Sequence, residues 1–560
     1  MAEYILRYMK LIKSKNIFIL GIILIIALFV RIYRLNSIPY GFHNDEAKAA
    51  WNAYSILKTG ADDKGNVLPM YYDSFGDFRP SGLIYLIIPF LMIFGNTIFA
   101  VRFPFALIGA FTVFPIFYIV KKLSKSSNIA LLSTLIISLN PWHIIASRAT
   151  SESVVSIFFT LWGIYFLIKS LKKPRFKNIF LSIVFFVLSY FFYHNIRVLA
   201  PILVFIIIFF SLIFEDKKPI NLKPFIIFVA LIFSSILFFS SKEARGRMSQ
   251  VSIRSDFRIL YETTKMPNEE GPGHVLEARI FHNKIASLLR CFAEEYKGYF
   301  GTDFLVGNTA KPIRYTVPQV GLLTYFEFLL VVFGLFWVSK RRELLVVVAL
   351  LAVAPLPGAV TIEDTPNLQR AIYMLPFLSI LAAYGFYGLI NLPKKFKIIP
   401  ILIFFGYVVN FIYFAHMYFI HQKMSLATYY RDGGNVELAY KIDNLSTKYD
   451  EIVLTNSPDD LYPWLAFLNK YEPVTFNKSY KDMINGSRKY KNIIFSADKC
   501  PLNSALEKNL DSIESKLFVD AEGCVVESKF DPVVKVSLIE TILRPDGSPP
   551  YYLRTVKLIK

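Results

Sequence analysis

The run IFILGIILIIALFV, residues 17–30, contains no charged side chain and follows a basic stretch formed by Arg7, Lys10, Lys13 and Lys15. A run of this kind predicts a membrane-spanning helix, because about 20 apolar residues cross the ~30 Å hydrocarbon core of a bilayer. No small-residue cleavage site follows, so we interpret the run as a retained first span and not as a signal peptide. The basic residues before it predict a cytoplasmic N-terminus.

The composition of the whole chain agrees with a membrane protein. Of the 560 residues, 54% are hydrophobic and only 19% are charged, a combination that a soluble core cannot absorb. This excludes a soluble multidomain enzyme, a secreted disulfide scaffold and a disordered chain. The three cysteines have no metal-type spacing; Cys500 and Cys524 share the C-terminal segment and could pair in an oxidising compartment, which would leave Cys291 unpaired.

Further apolar segments of sufficient length follow the first. The predicted spans lie at residues 17–33, 98–120, 128–146, 153–168, 179–193, 198–214, 225–241, 320–338, 344–358, 371–391 and 398–419. The apolar stretch 83–94 is short and contains Pro89, so we interpret it as a juxtamembrane or re-entrant helix. The predicted fold class is a polytopic α-helical membrane protein of about 11 spans plus this helix, with a C-terminal extracytoplasmic α/β domain.

The distribution of basic residues predicts the orientation. Six stretches hold 21 Lys and Arg between them: the N-terminus, 121–127, 169–178, 215–224, 339–343 and 392–397. Three short turns hold one Arg each: 147–152, 194–197 and 359–370. By the positive-inside rule the six basic stretches face the cytoplasm, and the long segments 34–97, 242–319 and 420–560 lie outside. The net charge of +20 is then explained by orientation and indicates no nucleic-acid partner.

Residues 420–560 differ in pattern from the rest of the chain. Strand-like runs alternate with helix-like stretches there, the strands at 452–455, 492–496, 516–519 and 533–539 and the helices at 436–448 and 460–469. The alternation predicts an α/β domain. The predicted division is a transmembrane domain at 1–419, with outer loops 34–97 and 242–319, and an α/β domain at 420–560.

The first outer loop contains an acidic pair at a predicted helix start. Asn44 can cap a helix whose first turn holds Asp45 and Glu46, since carboxylates are favoured at a helix N-terminus, and Gly60 suits the helix end. Two interpretations remain open. Either the carboxylates only stabilise the helix start, or one of them is held at the membrane surface as a general base.

Other polar residues gather at the predicted outer ends of the helices. Asp77 and Arg79 could pair within the run DSFGDFRPSG, residues 73–82, although a solvated loop is the alternative. The three short turns add His143, Arg148, Glu152, His194, Arg197, Glu363, Asp364 and Arg370. Snorkelling explains each Arg singly, but their coincidence on one membrane face suits an anionic lipid head group and its leaving phosphate. Arg245 and Arg247 could add to this set.

These motifs resemble the integral-membrane glycosyltransferases of superfamily C. Closest are family 39, the protein O-mannosyltransferases, and their relatives that transfer aminoarabinose to lipid A. The resemblance covers about residues 17–420 and is carried by the Asp-Glu pair after the first span, FRPSGLIY at 78–85, FAVRFPFAL at 99–107 and the turn NPWHIIASR at 140–148. It implies that Asp45 is the catalytic aspartate, that Glu46 is its partner and that Arg79 lies near the donor phosphate. The sequence differs from the lipid A transferases around Arg79, because Phe78 precedes it and the nearest acidic residue is Asp77. This difference weakens the inference of a metal ligand at that position.

The resemblance also implies a polyprenyl-phosphate sugar donor presented from the outer leaflet. We expect inverting transfer to an acceptor hydroxyl of a protein, lipid or glycan at the plasma membrane, with Asp45 and Glu46 as catalytic residues. The predicted donor phosphate and sugar site comprises Asp77, Arg79, His143, Arg148, Glu152, His194, Arg197 and Arg370. No metal-ligand triad is evident, and dependence on a divalent metal stays open.

Two other classes of protein remain as alternatives. A polytopic transporter or lipid flippase usually carries ionisable residues at mid-membrane, whereas the helix centres of this chain are nearly free of charge. A structural or sensory protein would account for residues 420–560 but would leave the Asp-Glu pair and the arginines without a role.

Overall fold

The computed structural model describes residues 2–214, 223–456, 460–481, 483–484, 487–508, 513–526 and 533–559. The chain divides into two compact units. The helical unit comprises Met1–Tyr33, Phe75–Pro80 and Phe105–Tyr418, and the mixed unit comprises Arg34–Ser74, Ser81–Pro104 and Phe419–Lys560. The last segment of the mixed unit begins at Phe419, one residue before the predicted start of the α/β domain, and the unit also includes Arg34–Ser74 and Ser81–Pro104. The predicted division into domains at 1–419 and 420–560 stays a prediction.

The helices of the described residues are, in chain order, α1 (Ala2–Ile32), α2 (Asn44–Thr59), α3 (Gly82–Phe94), α4 (Ile98–Phe111), α5 (Val113–Ser124), α6 (Ser127–Leu139), α7 (Pro141–Ser147), α8 (Glu152–Lys172), α9 (Phe176–Tyr190), α10 (Ile196–Phe214), α11 (Phe225–Phe239), α12 (Lys242–Val251), α13 (Phe257–Leu260), α14 (Met266–Glu270), α15 (Val275–Phe281), α16 (Lys284–Gly298), α17 (Thr302–Leu305), α18 (Tyr325–Leu335), α19 (Arg342–Val353), α20 (Leu356–Ala359), α21 (Leu368–Ala371), α22 (Leu375–Ile390), α23 (Ile398–His416), α24 (Leu426–Tyr429), α25 (Asn435–Leu445), α26 (Tyr462–Leu468), α27 (Pro473–Lys481) and α28 (Pro501–Lys508). The strands are β1 (Tyr71–Ser74), β2 (Asp77–Pro80), β3 (Glu451–Leu454), β4 (Met483–Ile484), β5 (Ser487–Tyr490), β6 (Ile493–Phe495), β7 (Lys516–Ala521), β8 (Val534–Ile542) and β9 (Tyr551–Leu558).

Seven helical segments among the described residues are long and apolar enough to cross a membrane: Lys15–Ile32, Ile98–Ser124, Glu152–Lys172, Ile196–Phe214, Arg342–Ala359, Leu368–Ile390 and Lys394–Met424. Two bent pairs, α6 with α7 and α11 with α12, raise the number to nine if each pair is one span. The two remaining predicted spans, 179–193 and 320–338, correspond to the shorter apolar helices α9 and α18. The polytopic helical membrane fold is therefore confirmed, and the number of about 11 spans stays a prediction.

Close approach between α18 and α22 depends on two glycines in the helical unit. A Cβ at Gly334 would overlap the carbonyl oxygen of Leu381, and a Cβ at Gly385 would overlap that of Leu330. Lipid offers little hydrophobic drive between two apolar helices, so their association relies on van der Waals contact over small residues. These glycines permit that contact.

The mixed unit contains a seven-stranded sheet in the order β4-β5-β6-β3-β7-β9-β8. The central strand β3 runs parallel to β6 and β7, and the other pairs are antiparallel. One face of the sheet packs on α28 through a core that includes Leu502, Phe518 and Val556. The strand-like runs of the sequence coincide with β3, β6, β7 and β8, and a disulfide joins Cys500 to Cys524 with their Cα atoms 5.6 Å apart.

Candidate active site

Helix α2 carries the acidic pair of residues in the mixed unit. The helix begins at Asn44, and its cap is His43, one residue before the predicted cap. The imidazole Nδ1 of His43 accepts the N–H of Asp45 at 3.1 Å, while the side-chain oxygen of Asn44 accepts the same N–H at 2.6 Å. The predicted end is confirmed, since Gly60 adopts φ +77° and donates its N–H to the carbonyl of Ile56.

The carboxylate of Asp45 is accessible. Its side chain is 20% exposed, and its Oδ1 accepts a hydrogen bond from the hydroxyl of Ser74 at 3.1 Å. Oδ2 lies 3.4 Å from Nδ1 of His43. A carboxylate that is oriented by neighbouring polar groups and still reachable from outside has the geometry that a general base needs.

Glu46, the next residue, has the opposite environment. Its side chain is 3% exposed, and Oε2 accepts hydrogen bonds from Arg102 at 2.8 Å and from Arg431 at 2.9 Å. Both arginines are buried, and Arg102 also donates to the carbonyl of Pro39 at 2.9 Å. We call Glu46, Arg102 and Arg431 the buried triad. Here Glu46 anchors the first turn of α2, and its predicted catalytic role stays a prediction.

A second cluster of arginines and carboxylates lies in the helical unit. Asp77 pairs with Nε of Arg79 and with Nε of Arg247, each at 3.1 Å. Arg79 also donates to Glu152 at 3.2 Å. Glu363 accepts from Arg247 at 2.6 Å and from Arg370 at 2.7 Å. These contacts form a continuous row of alternating charge, which we call the arginine row: Glu152, Arg79, Asp77, Arg247, Glu363 and Arg370.

The arginine row is partly open to its surroundings. Arg79 and Arg247 have side-chain exposures of 21% and 22%, and Glu363 reaches 47%. Arg370 is more enclosed, and it also donates to the hydroxyl of Thr361 at 2.7 Å. Three arginines balance three carboxylates, so an anion that displaces one carboxylate would find guanidinium groups already oriented.

His194 and Arg197 form a neutral-plus-charged pair in the same unit. Arg197 donates from Nη1 to Nδ1 of His194 at 2.9 Å and from Nη2 to the carbonyl of Tyr190 at 2.9 Å. Because Nδ1 accepts, the ring proton lies on Nε2, which is 3.2 Å from the carbonyl oxygen of Phe78. Burial, followed by the charge of Arg197, lowers the pKa of His194 to about 3, so the ring is neutral at physiological pH.

His143 and Arg148 lie against the C-terminal end of α1. Arg31 donates to Nδ1 of His143 at 2.8 Å, and both side chains are buried. Arg148 donates to the carbonyls of Val30 at 2.7 Å and Tyr33 at 2.8 Å, satisfying groups that a helix end leaves unpaired. Their predicted contact with a donor phosphate stays a prediction.

The structure thus brings together part of the predicted set. The arginine row contains four of the predicted residues: Asp77, Arg79, Glu152 and Arg370. Its other two members are Arg247 and Glu363. Arg102 and Arg431 could not be recognised from the sequence as partners of Glu46. Arg102 did carry a signal, because an Arg inside the apolar run at 99–107 must have a buried partner. Within the described ranges, no group of three or more His, Cys, Asp or Glu is arranged to hold a metal ion.

Comparison with known proteins gives one partial sequence match. Residues 79–240 match the family model described as dolichyl-phosphate-mannose-protein mannosyltransferase. No curated protein sequence matches the chain.

Two solved membrane proteins illustrate the structural similarity. ArnT from Cupriavidus metallidurans bound to undecaprenyl phosphate is 11% identical, with a TM-score of 0.51 over 95% of this chain and 97% of that one. The archaeal oligosaccharyltransferase AglB from Archaeoglobus fulgidus, in complex with an inhibitory peptide and a dolichol-phosphate, is 11% identical with a TM-score of 0.47. The match covers 81% of this chain but only 63% of the length of AglB. The family model and the ArnT fold confirm the resemblance to the membrane glycosyltransferases of superfamily C that the sequence motifs indicated.

Proposed function

We propose that the protein is an inverting membrane glycosyltransferase that transfers a hexose or pentose from a polyprenyl-phosphate donor to an acceptor hydroxyl on the extracytoplasmic face. The observation that carries the proposal is the match of residues 79–240 to the mannosyltransferase family model, a range that contains Arg79, Glu152 and His194. The ArnT structure, which has a similar fold, is bound to undecaprenyl phosphate, and this supports a donor of the same lipid class.

In the proposed reaction Asp45 is the general base. It accepts the proton of the acceptor hydroxyl as that oxygen forms a bond to the anomeric carbon of the sugar. The bond between the anomeric carbon and the phosphate oxygen breaks, its electron pair leaves with the phosphate, and the anomeric configuration inverts. The exposed carboxylate of Asp45, oriented by Ser74, supports this assignment over Glu46. We assign Glu46 to holding the first turn of α2.

The arginine row is the proposed phosphate site. A polyprenyl-phosphate sugar is a phosphodiester with one negative charge, whereas the departing polyprenyl phosphate carries about 1.5 to 2 charges at pH 7. Guanidinium groups therefore bind the transition state and the product more strongly than the donor, which is the condition for catalysis. Arg79, Arg247 and Arg370 supply that positive charge. Their carboxylate partners hold the guanidinium groups in place until the phosphate displaces them.

The experiment that tests this function is a transfer assay with purified protein in lipid nanodiscs. A panel of radiolabelled polyprenyl-phosphate sugars is offered with protein, lipid and glycan acceptors, with and without EDTA to establish whether a divalent metal is needed. We expect label transfer with at least one donor and inversion at the anomeric carbon by NMR. Solute uptake into proteoliposomes without any sugar transfer would instead assign the protein to the transporters.

A further inference from the structure

The residues on both sides of Asp45 are held by two consecutive residues of the segment that follows α24. The backbone N–H of Asn44 donates to Oδ2 of Asp432 at 2.7 Å. The carboxylate of Glu46 accepts from Nη2 of Arg431 at 2.9 Å. One dipeptide therefore fixes the position before Asp45 and the position after it, and all five residues belong to the mixed unit.

The contact is built into the backbone conformation of both segments. Gly41 adopts φ +85°, and a Cβ at this position would overlap the carbonyl oxygen of Arg431. Asp432 adopts φ 55°, a region that Asn, Asp and Gly tolerate best among the amino acids. The close approach therefore requires a glycine on one side and a short polar residue or glycine on the other.

Two more hydrogen bonds hold the segment that leads into α2. Gln422 accepts the backbone N–H of Tyr40 at 3.2 Å, and Nε1 of Trp464 donates to the carbonyl of Phe42 at 2.6 Å. Residues 40–46 are thus bound at alternate positions by side chains from residues 422–464. The carboxylate of Asp45, by contrast, is one-fifth exposed.

We infer that Arg431 and Asp432 are positioning residues for Asp45, so that residues 419–435 are a required part of the reaction centre. The inference rests on the proposed function, in which Asp45 is the base. A general base acts only within hydrogen-bond reach of the proton it removes, and a displacement of about 1 Å can cost on the order of 100-fold in rate. Loosening the start of α2 would move Asp45 without altering the groups that bind the donor.

Two substitutions of Asp432 separate positioning from folding. Asp432→Gly removes the acceptor but tolerates the positive φ, whereas Asp432→Asn keeps an oxygen acceptor for the N–H of Asn44. The matched control is Glu472→Gly, which removes a carboxylate that accepts the backbone N–H groups of Val474 and Thr475 at the start of another helix of the same unit. Each variant is assayed for kcat and KM in nanodiscs with the donor that the wild-type protein uses.

We expect Asp432→Gly to lower kcat at least 10-fold with a donor KM within twofold of wild type. Asp432→Asn should keep at least half of the wild-type kcat, as should Glu472→Gly. An Asp432→Gly protein with wild-type kcat overturns the inference, and so does an Asp432→Asn protein that is as inactive as the glycine variant while its melting temperature is unchanged.

Hydrogen–deuterium exchange separates failure of this inference from failure of the proposed function. Peptides covering residues 40–50 should exchange at least 10-fold faster in Asp432→Gly than in wild type, Asp432→Asn or Glu472→Gly, whether or not any donor is used. Unchanged exchange in Asp432→Gly overturns the positioning role. If the wild-type protein transfers no sugar from any donor while Asp432→Gly still exchanges faster, the structural coupling is supported and the glycosyltransferase assignment is rejected.

Discussion

The buried triad and the arginine row are built from the same types of side chain, arginines and carboxylates, but they differ in burial. In the triad, one carboxylate receives two arginines, and all three side chains are 1–3% exposed. In the row, three carboxylates and three arginines alternate, and side-chain exposure ranges from 7% for Arg370 to 47% for Glu363. The triad lies in the mixed unit and the row in the helical unit.

Burial separates charge clusters that stabilise the fold from charge clusters that can bind a ligand. A buried, fully paired carboxylate costs much to disturb, because removing one partner leaves a desolvated charge. A partly exposed ion pair contributes little to stability, and water or an anionic ligand can replace either partner cheaply. The triad is therefore expected to determine stability, and the row is expected to determine donor binding. Substitutions in and beside the two clusters test this division.

The largest loss of activity is expected on substitution of Asp45, which precedes Glu46 in the sequence but is not a member of the buried triad. Asp45→Asn keeps the size of the side chain and the hydrogen bond from Ser74 but cannot take a proton. Loss of general-base catalysis typically costs about 10²- to 10⁴-fold in rate, so kcat should fall by that much while the melting temperature stays constant. Asp443→Asn, an exposed change on α25, is the control. Full activity of a normally folded Asp45→Asn protein would contradict the base assignment.

The next effect is on stability and distinguishes the two clusters directly. Glu46→Leu leaves the guanidinium groups of Arg102 and Arg431 buried without their carboxylate, which should cost about 3–5 kcal/mol in the free energy of unfolding. Glu363→Leu, at 47% exposure, should cost less than about 1 kcal/mol. Denaturant unfolding in detergent measures both. Equal losses in the two variants would show that burial does not separate the clusters.

A smaller effect is expected when single arginines of the row are neutralised. Charged hydrogen bonds contribute about 1.5–3 kcal/mol each, so Arg247→Gln and Arg370→Gln should each lower kcat/KM roughly 10- to 100-fold. Arg258→Gln serves as the control, since Arg258 pairs with Asp256 and Glu295 in the same unit but outside the row. Steady-state kinetics over a range of donor concentrations provide the measurement. If Arg258→Gln were as damaging as Arg247→Gln, the row would have no special role.

The smallest expected effect is on the pH dependence of stability, through His194. The pKa of His194 is lowered to about 3, first by burial and then by Arg197, whereas a His in the unfolded chain titrates near 6.5. The unfolded state therefore binds the extra proton between these values. The stabilisation from neutral His194 is complete above about pH 6.5 and is lost as the pH falls toward 3, by at most about 1.4 kcal/mol per pH unit.

The pH prediction is tested by comparing melting temperatures at pH 7.5 and pH 5.0. His194→Gln should show a smaller difference between the two pH values than the wild-type protein. His274→Gln replaces a His with a 62% exposed side chain in the same unit and should leave the wild-type difference intact. An unchanged pH dependence in His194→Gln would mean that the pKa of this His is the same in the folded and unfolded states, which contradicts the prediction.

Much of the local structure follows from residue patterns. Apolar length predicts the spans, and Gly60 ends α2 as expected because only a residue that tolerates positive φ suits that position. The cap of α2 is His43 and not the predicted Asn44, because the ring nitrogen of His43 accepts the N–H of Asp45. The prediction chose Asn44 because Asn is a far more common capping residue than His. The shorter helices α9 and α18 match predicted spans in place but not in length.

The partners of the charged residues could not be predicted in the same way. Glu46 pairs with Arg431, 385 residues away, and Arg79 pairs with Glu152, 73 residues away. Pattern and propensity describe neighbours along the chain, whereas these pairs depend on the path of the backbone. Asp45 and Glu46 therefore look equivalent in sequence, although one is one-fifth exposed and the other is buried.

The amino-acid sequence alone predicts a multi-pass membrane protein with acidic and basic residues near the helix ends, because the length of an apolar run and the position of a charged residue are local properties of the chain. The resemblance to superfamily C was also readable from short motifs. The three-dimensional fold was needed to show which carboxylate is buried between two arginines and which arginines form the partly exposed arginine row. The physical reason is that exposure and ion pairing depend on long-range contacts, which local pattern does not encode.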